Sequence, residues 1–181
     1  MTTCNIEGVE FICANTDAQA LKNIGARTVL QLGTAVTKGL GAGANPEVGR
    51  QAAMEDRERV AEVLQGSDMV FITTGMGGGT GTGAAPVIAA LAKEMGILTV
   101  AIVTTPFRFE GKKRMGQAIA GIKQLEQGVD TIITINNDNL TEVFGQNVTM
   151  KQAFEEADTV LCDAAKGIAE IITLVMLILV L

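Results

Sequence analysis

Short apolar runs alternate with helix-like segments along most of the chain. The apolar runs that read as strands are Val9–Ala14, Thr28–Leu32, Asp68–Thr74, Ile97–Val103 and Asp130–Ile135. The segments with helical character are Asp17–Ile24, Asn45–Gln65, Ala84–Met95 and Glu110–Gln127, and a long last helix opens near Thr149. Strands that are apolar throughout are typical of parallel sheets covered on both faces. The alternation therefore predicts an α/β fold, a doubly wound, mostly parallel sheet with helices on both faces.

Local signals mark two of these helix starts. Asn45-Pro46-Glu47 combines a capping side chain, a proline at the first helical position and an acid in the first turn. Thr149 and Gln152 have the spacing of a capping box. Within the helix that begins after Asn45, the charged run 55–59 is interpreted as a solvent-exposed face.

Each predicted strand is followed by a polar or glycine-rich segment. These segments are 15–17, 33–45, 75–83, 104–114 and 136–138. The carboxyl ends of parallel strands share one rim of the sheet, and ligands of α/β proteins bind at that rim. We therefore expect the five segments to form one ligand site.

The segment Gly75–Gly83 carries the clearest chemistry. Its glycines allow backbone N–H groups to approach a ligand closely, and a helix predicted to begin at Ala84 would direct its positive end at an anion. Thr80 and Thr82 add hydroxyl donors between the glycines. A flexible surface connection is the alternative interpretation, but we favour a phosphate-binding loop.

The sequence limits which phosphate compound is expected. The pattern G-x-x-x-x-G-K-[ST] of P-loop proteins does not occur in the chain. Gly79-x-Gly81-x-x-Ala84 fits a relaxed dinucleotide fingerprint, yet the next strand ends at Thr104-Thr105-Pro106, without the acid that would bind a ribose. A dinucleotide-dependent oxidoreductase therefore remains a remote alternative.

Other rim residues have both a structural and a functional interpretation. The small residues of Gly39–Pro46 form either a second phosphate loop or a plain helix entry. Glu110 and Arg114 have the spacing of an i,i+4 ion pair, or they contact a sugar and a phosphate. Asn137 and Asp158 are candidates for reading a purine edge, and Phe154 either stacks on the base or belongs to the core.

Composition excludes several classes of function. The chain has 181 residues and a formal net charge of −6, which argues against a nucleic-acid surface. It has no histidine, so a histidine general base and a Ser-His-Asp triad are excluded. The apolar end 171–181 is shorter than the roughly 20 residues of a membrane-spanning helix. We expect a buried helix end there, with a membrane anchor as the alternative.

Four motifs in order resemble the FtsZ family, the tubulin-like cell-division GTPases of bacteria. They are Asn-Thr-Asp-Ala-Gln-Ala-Leu at 15–21, Gly-Ala-Gly-Ala-Asn-Pro-Glu at 41–47, Gly-Gly-Gly-Thr-Gly-Thr-Gly at 77–83 and Phe-Glu-Gly-Lys-Lys-Arg at 109–114. The resemblance covers residues 5–173, which defines the predicted GTP-binding domain. It implies a tubulin-like fold, GTP and GDP as ligands, and Mg²⁺ bound through the nucleotide phosphates. It also implies protofilaments in the cytoplasm at the mid-cell division ring, with membrane adaptors as partners, no nucleic acid and no direct membrane span.

The same resemblance assigns roles to residues of the rim. Gly79, Thr80 and Gly81 would hold the phosphates, and Ala42, Gly43 and Ala44 would approach the γ-phosphate. Glu110 would bind the ribose with Arg114 close to the nucleotide, and Asn137 and Asp158 would recognise guanine, with Phe154 against the ring. The full set of expected GTP-binding residues is Ala42, Gly43, Ala44, Gly77, Gly78, Gly79, Thr80, Gly81, Thr82, Thr104, Glu110, Arg114, Asn137, Phe154 and Asp158.

The sequence also departs from the family pattern. The family's first strand with its glycine-rich turn, its catalytic Asp loop and its C-terminal domain are not recognisable, and residues 174–181 form an unrelated apolar tail. We therefore expect no catalytic residue and no assignable metal ligand in this chain, and weak or no GTPase activity from it alone. The alternative role is a binding-only fragment that interferes with full-length filaments.

Overall fold

The computed structural model describes residues 9–22, 24, 26–144 and 149–180, without the side chains of 141–144 and 171–180. The strands are β1 (Ile12–Asn15), β2 (Thr28–Gln31), β3 (Met69–Gly75), β4 (Leu98–Thr105) and β5 (Thr131–Asn136). The helices are α1 (Ala18–Lys22), α2 (Thr34–Thr37), α3 (Pro46–Glu55), α4 (Arg57–Leu64), α5 (Thr80–Glu94), α6 (Lys112–Leu125), α7 (Asn137–Phe144) and α8 (Met150–Val180). A 3-10 turn at Arg108–Glu110 lies between β4 and α6.

All strand pairs in the described residues are parallel. β3, β4 and β5 form one sheet in that order, and β1 pairs with β2 in a separate sheet. Each predicted strand is present, with bounds shifted by a few residues. The prediction of a parallel α/β fold is confirmed, although the strands divide between two sheets.

Helices cover both faces of the larger sheet because the central strand β4 is apolar on both sides. Ala101 and Val103 pack with residues of α5 and α6 in one cluster. Val100 and Ile102 face the other way and pack against Leu161 of α8. The sheet is therefore buried between helical layers, and its strands end at a common rim.

The long helix expected after Asn45 is interrupted at Asp56. The Asp56 carboxylate is 7% exposed; its Oδ2 accepts from the Gly33 backbone N–H at 2.6 Å and its Oδ1 from Arg59 at 2.7 Å. Glu55 also accepts from backbone N–H groups, those of Ala35 and Val36. The interpretation of 55–59 as a solvated face is therefore wrong for the buried Asp56, whereas Glu55 is exposed while it accepts these hydrogen bonds. The two acids fasten α2 and its entry to the end of α3.

Helix α5 begins at Thr80, four residues before the predicted start at Ala84. The glycines there serve close packing as well as loop geometry, because α3 and α5 lie too close for side chains. A Cβ on Gly83 would lie 1.9 Å from the Pro46 carbonyl oxygen, and one on Gly49 would lie 2.2 Å from the Gly79 oxygen. Residues 80–83 therefore belong to the first turn of a helix and not to a loop.

The helix predicted for 110–127 is also shorter and begins later. Gly111, with φ of 100°, separates the 3-10 turn from α6, and α6 ends at Leu125. The segment 33–45, expected as a loop, contains the short helix α2.

The last helix opens with the predicted capping box. The Thr149 N–H donates to Gln152 Oε1 at 2.9 Å, and the Gln152 N–H donates to Thr149 Oγ1 at 3.3 Å. Helix α8 extends to Val180, and no helix formed by the described residues is long and apolar enough to cross a membrane. Residues 5–8, 23, 25 and 145–148 of the predicted domain and residue 181 of the tail lie outside the described residues, as do the side chains of the expected buried helix end at 171–180. Both domain boundaries stay predictions.

Candidate nucleotide-binding site

Hydrogen bonds join the loops at the carboxyl ends of the strands. The Gly79 N–H donates to the Gly43 oxygen at 2.9 Å, which joins the two glycine-rich segments directly. Gln117 of α6 donates from Nε2 to the Ala44 oxygen at 3.0 Å. The expected common rim therefore exists, and its segments form one connected surface.

Thr16, which follows β1, lies at the centre of these connections. It is fully buried, and its Oγ1 accepts from the Ala42 N–H at 2.9 Å and lies 2.6 Å from Thr80 Oγ1. Its carbonyl oxygen accepts from the Gly41 N–H and the Thr37 hydroxyl. Sequence reasoning placed Thr16 on the rim without a role, because a threonine between Asn15 and Asp17 carries no signal of its tertiary partners.

The segment expected to bind phosphate, Gly75–Gly83 (the phosphate segment), presents backbone more than side chains, as does Gly43 of the second glycine-rich segment. Gly77 has φ of 100°, and Gly43, with φ of 58°, has open space where a Cβ would be. Thr80 is half-buried at the first position of α5. Thr82, expected as a ligand donor, is instead 2% exposed and accepts the Gly77 N–H at 2.8 Å, so its hydroxyl braces the loop from inside.

Glu110 and Arg114 form the ion pair that their spacing allowed. Arg114 Nη1 lies 2.8 Å from Glu110 Oε2, and Glu110 Oε1 accepts from the Phe107 N–H at 2.9 Å. The Arg114 side chain is 49% exposed and that of Glu110 is 9% exposed. Arg114 also lies beside the glycine segment, since a Cβ on Gly77 would lie 2.8 Å from its carbonyl oxygen. The pair therefore lies next to the phosphate segment with the guanidinium partly open to solvent.

An unpartnered amide lies at the start of α7. Asn137 is 5% exposed, and its buried Oδ1 has no hydrogen-bond partner among the described residues. A buried polar atom without a partner costs about 1–3 kcal/mol, which makes the Asn137 oxygen a candidate for contact with a ligand.

Three phenylalanine rings, two from the segment around the 3-10 turn and one from α8, pack against one another. Phe107 is buried; it stacks on Phe109 with centroids 4.9 Å apart and meets Phe154 edge-on at 5.5 Å. Phe154 is 41% exposed, so it is not the core residue that one interpretation expected, although its ring packs against Phe107. Asp158, one turn later on α8, is exposed.

Thr104 is part of β4 and not of a loop. It is 7% exposed, and its oxygen accepts the Met76 N–H at 2.9 Å. The structure therefore places Thr104 beneath the phosphate segment, where its backbone supports Met76.

The start of α3 has the predicted cap. Asn45 Oδ1 accepts from the Glu47 N–H at 3.1 Å. Hydrogen bonds from Arg50 hold the pKa of the Glu47 carboxyl below its ordinary value, and the same contact raises the pKa of Arg50. These contacts fix the helix that leads out of the second glycine-rich segment.

Comparison with known families shows to which family the chain belongs. The family model described as the Tubulin/FtsZ family, GTPase domain, matches residues 4–145. The chain belongs to the tubulin/FtsZ family. Its fold agrees with this family, as the four sequence motifs predicted.

Relatives within the tubulin/FtsZ family are similar over nearly the whole chain. The cell division protein FtsZ of Pseudomonas putida is 70% identical over 95% of the chain, and that of Coxiella burnetii is 63% identical over 93%. A solved FtsZ dimer of M. jannaschii superposes with a TM-score of 0.89 at 49% identity, covering 92% of this chain and 48% of that one. The chain spans 43% of the length of the P. putida relative.

Proposed function

We propose that this rim binds a guanine nucleotide, with the phosphates at the two glycine-rich segments and the base beside Asn137. The observation that carries the proposal is the buried, unpartnered Asn137 Oδ1, which lies on a rim whose family is a GTPase family. A solved relative, CetZ1 of Haloferax volcanii, is described as bound to GDP; at 24% identity it supports the fold alone.

The phosphate end is built from amides and one cation. The first turn of α5 directs its free N–H groups and the positive end of its dipole at the rim, which suits an anion. Gly43 and Gly79 hold the two glycine-rich segments together through one backbone hydrogen bond. Arg114, half exposed beside Gly77 and Gly78, supplies a positive charge, and Glu110, held by Arg114 and Phe107, is the carboxylate that would accept a ribose hydroxyl.

The base end suits guanine. The Asn137 oxygen is an acceptor, and guanine carries the N1–H and the exocyclic amine side by side. The exposed Asp158 carboxylate offers a second acceptor for the same edge, and the Phe154 ring offers an apolar face for stacking. Adenine lacks this adjacent pair of donors, so we expect selectivity against ATP.

Carboxylates near the phosphate end are already engaged, which limits catalysis by this chain. Asp17 accepts from the Gln19 and Ala20 N–H groups, Glu47 binds Arg50, and Glu110 binds Arg114. Removal of a proton from water by one of them would weaken such a contact, because the protonated carboxyl no longer carries the charge that its partner binds. We therefore infer that the chain binds GTP but hydrolyses it slowly on its own, and that efficient hydrolysis uses a group from a second subunit.

Mg²⁺ would be held mainly by the nucleotide. Among the described residues, no group of three or more cysteine, aspartate or glutamate residues is placed to hold a metal ion. When bound, the ion would neutralise charge on the phosphate oxygens.

If a second subunit supplies a group for hydrolysis, the chain must associate with another family subunit. The solved M. jannaschii relative is described as a dimer. We infer that this rim faces a second family subunit in a protofilament of the cytoplasmic division ring, attached to the membrane by adaptor proteins. A chain that binds nucleotide without completing catalysis would then act as a binding-only partner that slows GTP turnover in filaments of full-length relatives.

Calorimetric titration of the 181-residue chain with GTP, ITP and ATP tests the binding proposal. We expect one site, GTP tighter than ITP because inosine lacks the exocyclic amine, and no measurable binding of ATP. An Asn137→Ala variant should lose most of the difference between GTP and ATP, whereas Asn139→Ala, at an exposed neighbouring position, should keep it. Equal affinity for GTP and ATP would contradict the proposal.

Phosphate release at increasing protein concentration tests the catalytic part. We expect turnover to stay low and proportional to protein. A rise of turnover per molecule with concentration would show that copies of this chain activate one another, and would refute the binding-only role.

A further inference from the structure

We propose that Thr16 orients the hydroxyl proton of Thr80 toward the phosphate end of the rim and is thus a positioning residue for the ligand. The inference rests on the proposed function for its ligand, but its geometry stands without one. It begins from two threonine oxygens, 2.6 Å apart, either of which has the chemistry to donate to the other.

The surroundings of Thr16 decide the direction of this hydrogen bond. Thr16 is fully buried, so bulk water does not reach its hydroxyl. Within the described residues its Oγ1 has two neighbours, the Ala42 N–H at 2.9 Å and Thr80 Oγ1. The amide is a donor only. Thr80 Oγ1 is therefore the one acceptor for the Thr16 proton, and the opposite arrangement would leave a buried hydroxyl proton without a partner, at a cost of about 1–3 kcal/mol.

A consequence follows for Thr80. Because its oxygen accepts from Thr16, its own proton must point elsewhere, and the described residues offer it no acceptor. Thr80 is half-buried at the first position of α5, between the glycine-rich segments. The hydrogen bonds thus form a relay in which the Ala42 N–H donates to the Thr16 hydroxyl and the Thr16 hydroxyl donates to Thr80. The relay ends in the Thr80 hydroxyl, a donor that faces the rim.

Such a donor selects for an acceptor at that point. A phosphate oxygen accepts only, and a hydrogen bond to a charged group is worth about 1.5–3 kcal/mol. Because Thr16 already occupies one lone pair of Thr80 Oγ1, fewer orientations of the Thr80 proton have to be fixed when a ligand binds. We therefore expect Thr16, which touches no ligand, to contribute to affinity through Thr80.

Nuclear magnetic resonance of the nucleotide-free chain tests the geometry directly. Buried, hydrogen-bonded hydroxyl protons exchange slowly enough to be assigned to their own side chain. We expect a slowly exchanging proton on Thr16, and rapid exchange of the Thr80 hydroxyl proton. A protected proton assigned to Thr80, or no protected proton on either residue, would overturn the proposal whether or not the chain binds a nucleotide.

Titrations with GDP then test the effect on binding. Thr16→Val keeps the shape but removes the hydroxyl, and we expect it to weaken GDP about tenfold or more, whereas Thr16→Ser should remain within about threefold of the parent. In a Thr80→Ala background the same Thr16→Val change should add little, because the terminal donor is already absent. An equal loss in both backgrounds would overturn the proposal and assign Thr16 a purely structural role. Absence of GDP binding by the parent chain would instead refute the proposed function and leave the proton assignment as the deciding result.

Discussion

Replacing Gly83 by alanine tests the close contact between α3 and α5 that holds the two glycine-rich segments together. The new Cβ would lie 1.9 Å from the Pro46 oxygen and 2.6 Å from the Arg50 nitrogen, whereas Cβ atoms essentially never lie within 3.0 Å of another heavy atom. Both atoms belong to backbone, so the helices must separate by about 1 Å to relieve the overlap.

The magnitude follows from two opposing effects. Overpacking costs about 1–3 kcal/mol, and an overlap with backbone belongs at the upper end. Alanine is favoured over glycine within a helix by about 1 kcal/mol. We therefore expect a net loss of about 2 kcal/mol in the free energy of unfolding, or about 4–8 °C in Tm for a chain of this size.

Urea unfolding followed by circular dichroism measures the change. Gly116→Ala is the matched control, because Gly116 lies in α6 with nothing within 4 Å of its Cβ position. The control should be neutral or raise the free energy of unfolding by up to about 1 kcal/mol. Equal stability of the two variants would refute the packing argument.

Three further predictions concern individual contacts. Asp56→Ala should lower the free energy of unfolding by about 2 kcal/mol in urea unfolding, because the Gly33 N–H loses its acceptor, whereas Glu58→Ala at an exposed neighbour should change it by less than about 0.5; equal effects would contradict this. Burial raises the pKa of the Cys13 thiol, so iodoacetamide at mildly alkaline pH should modify Cys13 more slowly in the folded chain than in urea, and equal rates would contradict it. The folded pKa of Glu47 lies below its ordinary value, so its contribution to stability is present above about pH 4.5 and is lost as the pH falls through the lowered pKa. The difference in free energy of unfolding between the parent and Glu47→Gln should therefore shrink in acid. A difference that stays constant with pH would contradict this.

Hydrophobic patterning predicted the parallel α/β fold because that pattern reflects burial. β4 is apolar at successive positions, and the structure buries both of its faces. Helix ends were predicted less well, since they depend on partners distant in sequence. The helix is interrupted at Asp56, whose carboxylate accepts a hydrogen bond from the Gly33 N–H, and no local sequence pattern predicts that hydrogen bond.

The connections within the candidate site were not predicted from the sequence. Glycine spacing indicated a phosphate segment at 75–83, but it did not distinguish loop glycines from Gly83, which is required by the close passage of α3. Thr82 and Thr80 look equivalent in sequence, yet one hydroxyl is buried inside the segment and the other ends the relay from Thr16. Tertiary contacts alone separate these roles.

Mapping of backbone amide shifts during titration with GDP tests the central claim most directly. We expect saturable shifts at Gly43, Gly79, Glu110 and Asn137, which lie on different segments of the rim. Gly66, exposed between α4 and β3 and with nothing within 4 Å of its Cβ position, should not move. Shifts absent from the rim at saturating GDP, or confined to one of its segments, would contradict the assignment of this rim as a single guanine-nucleotide site.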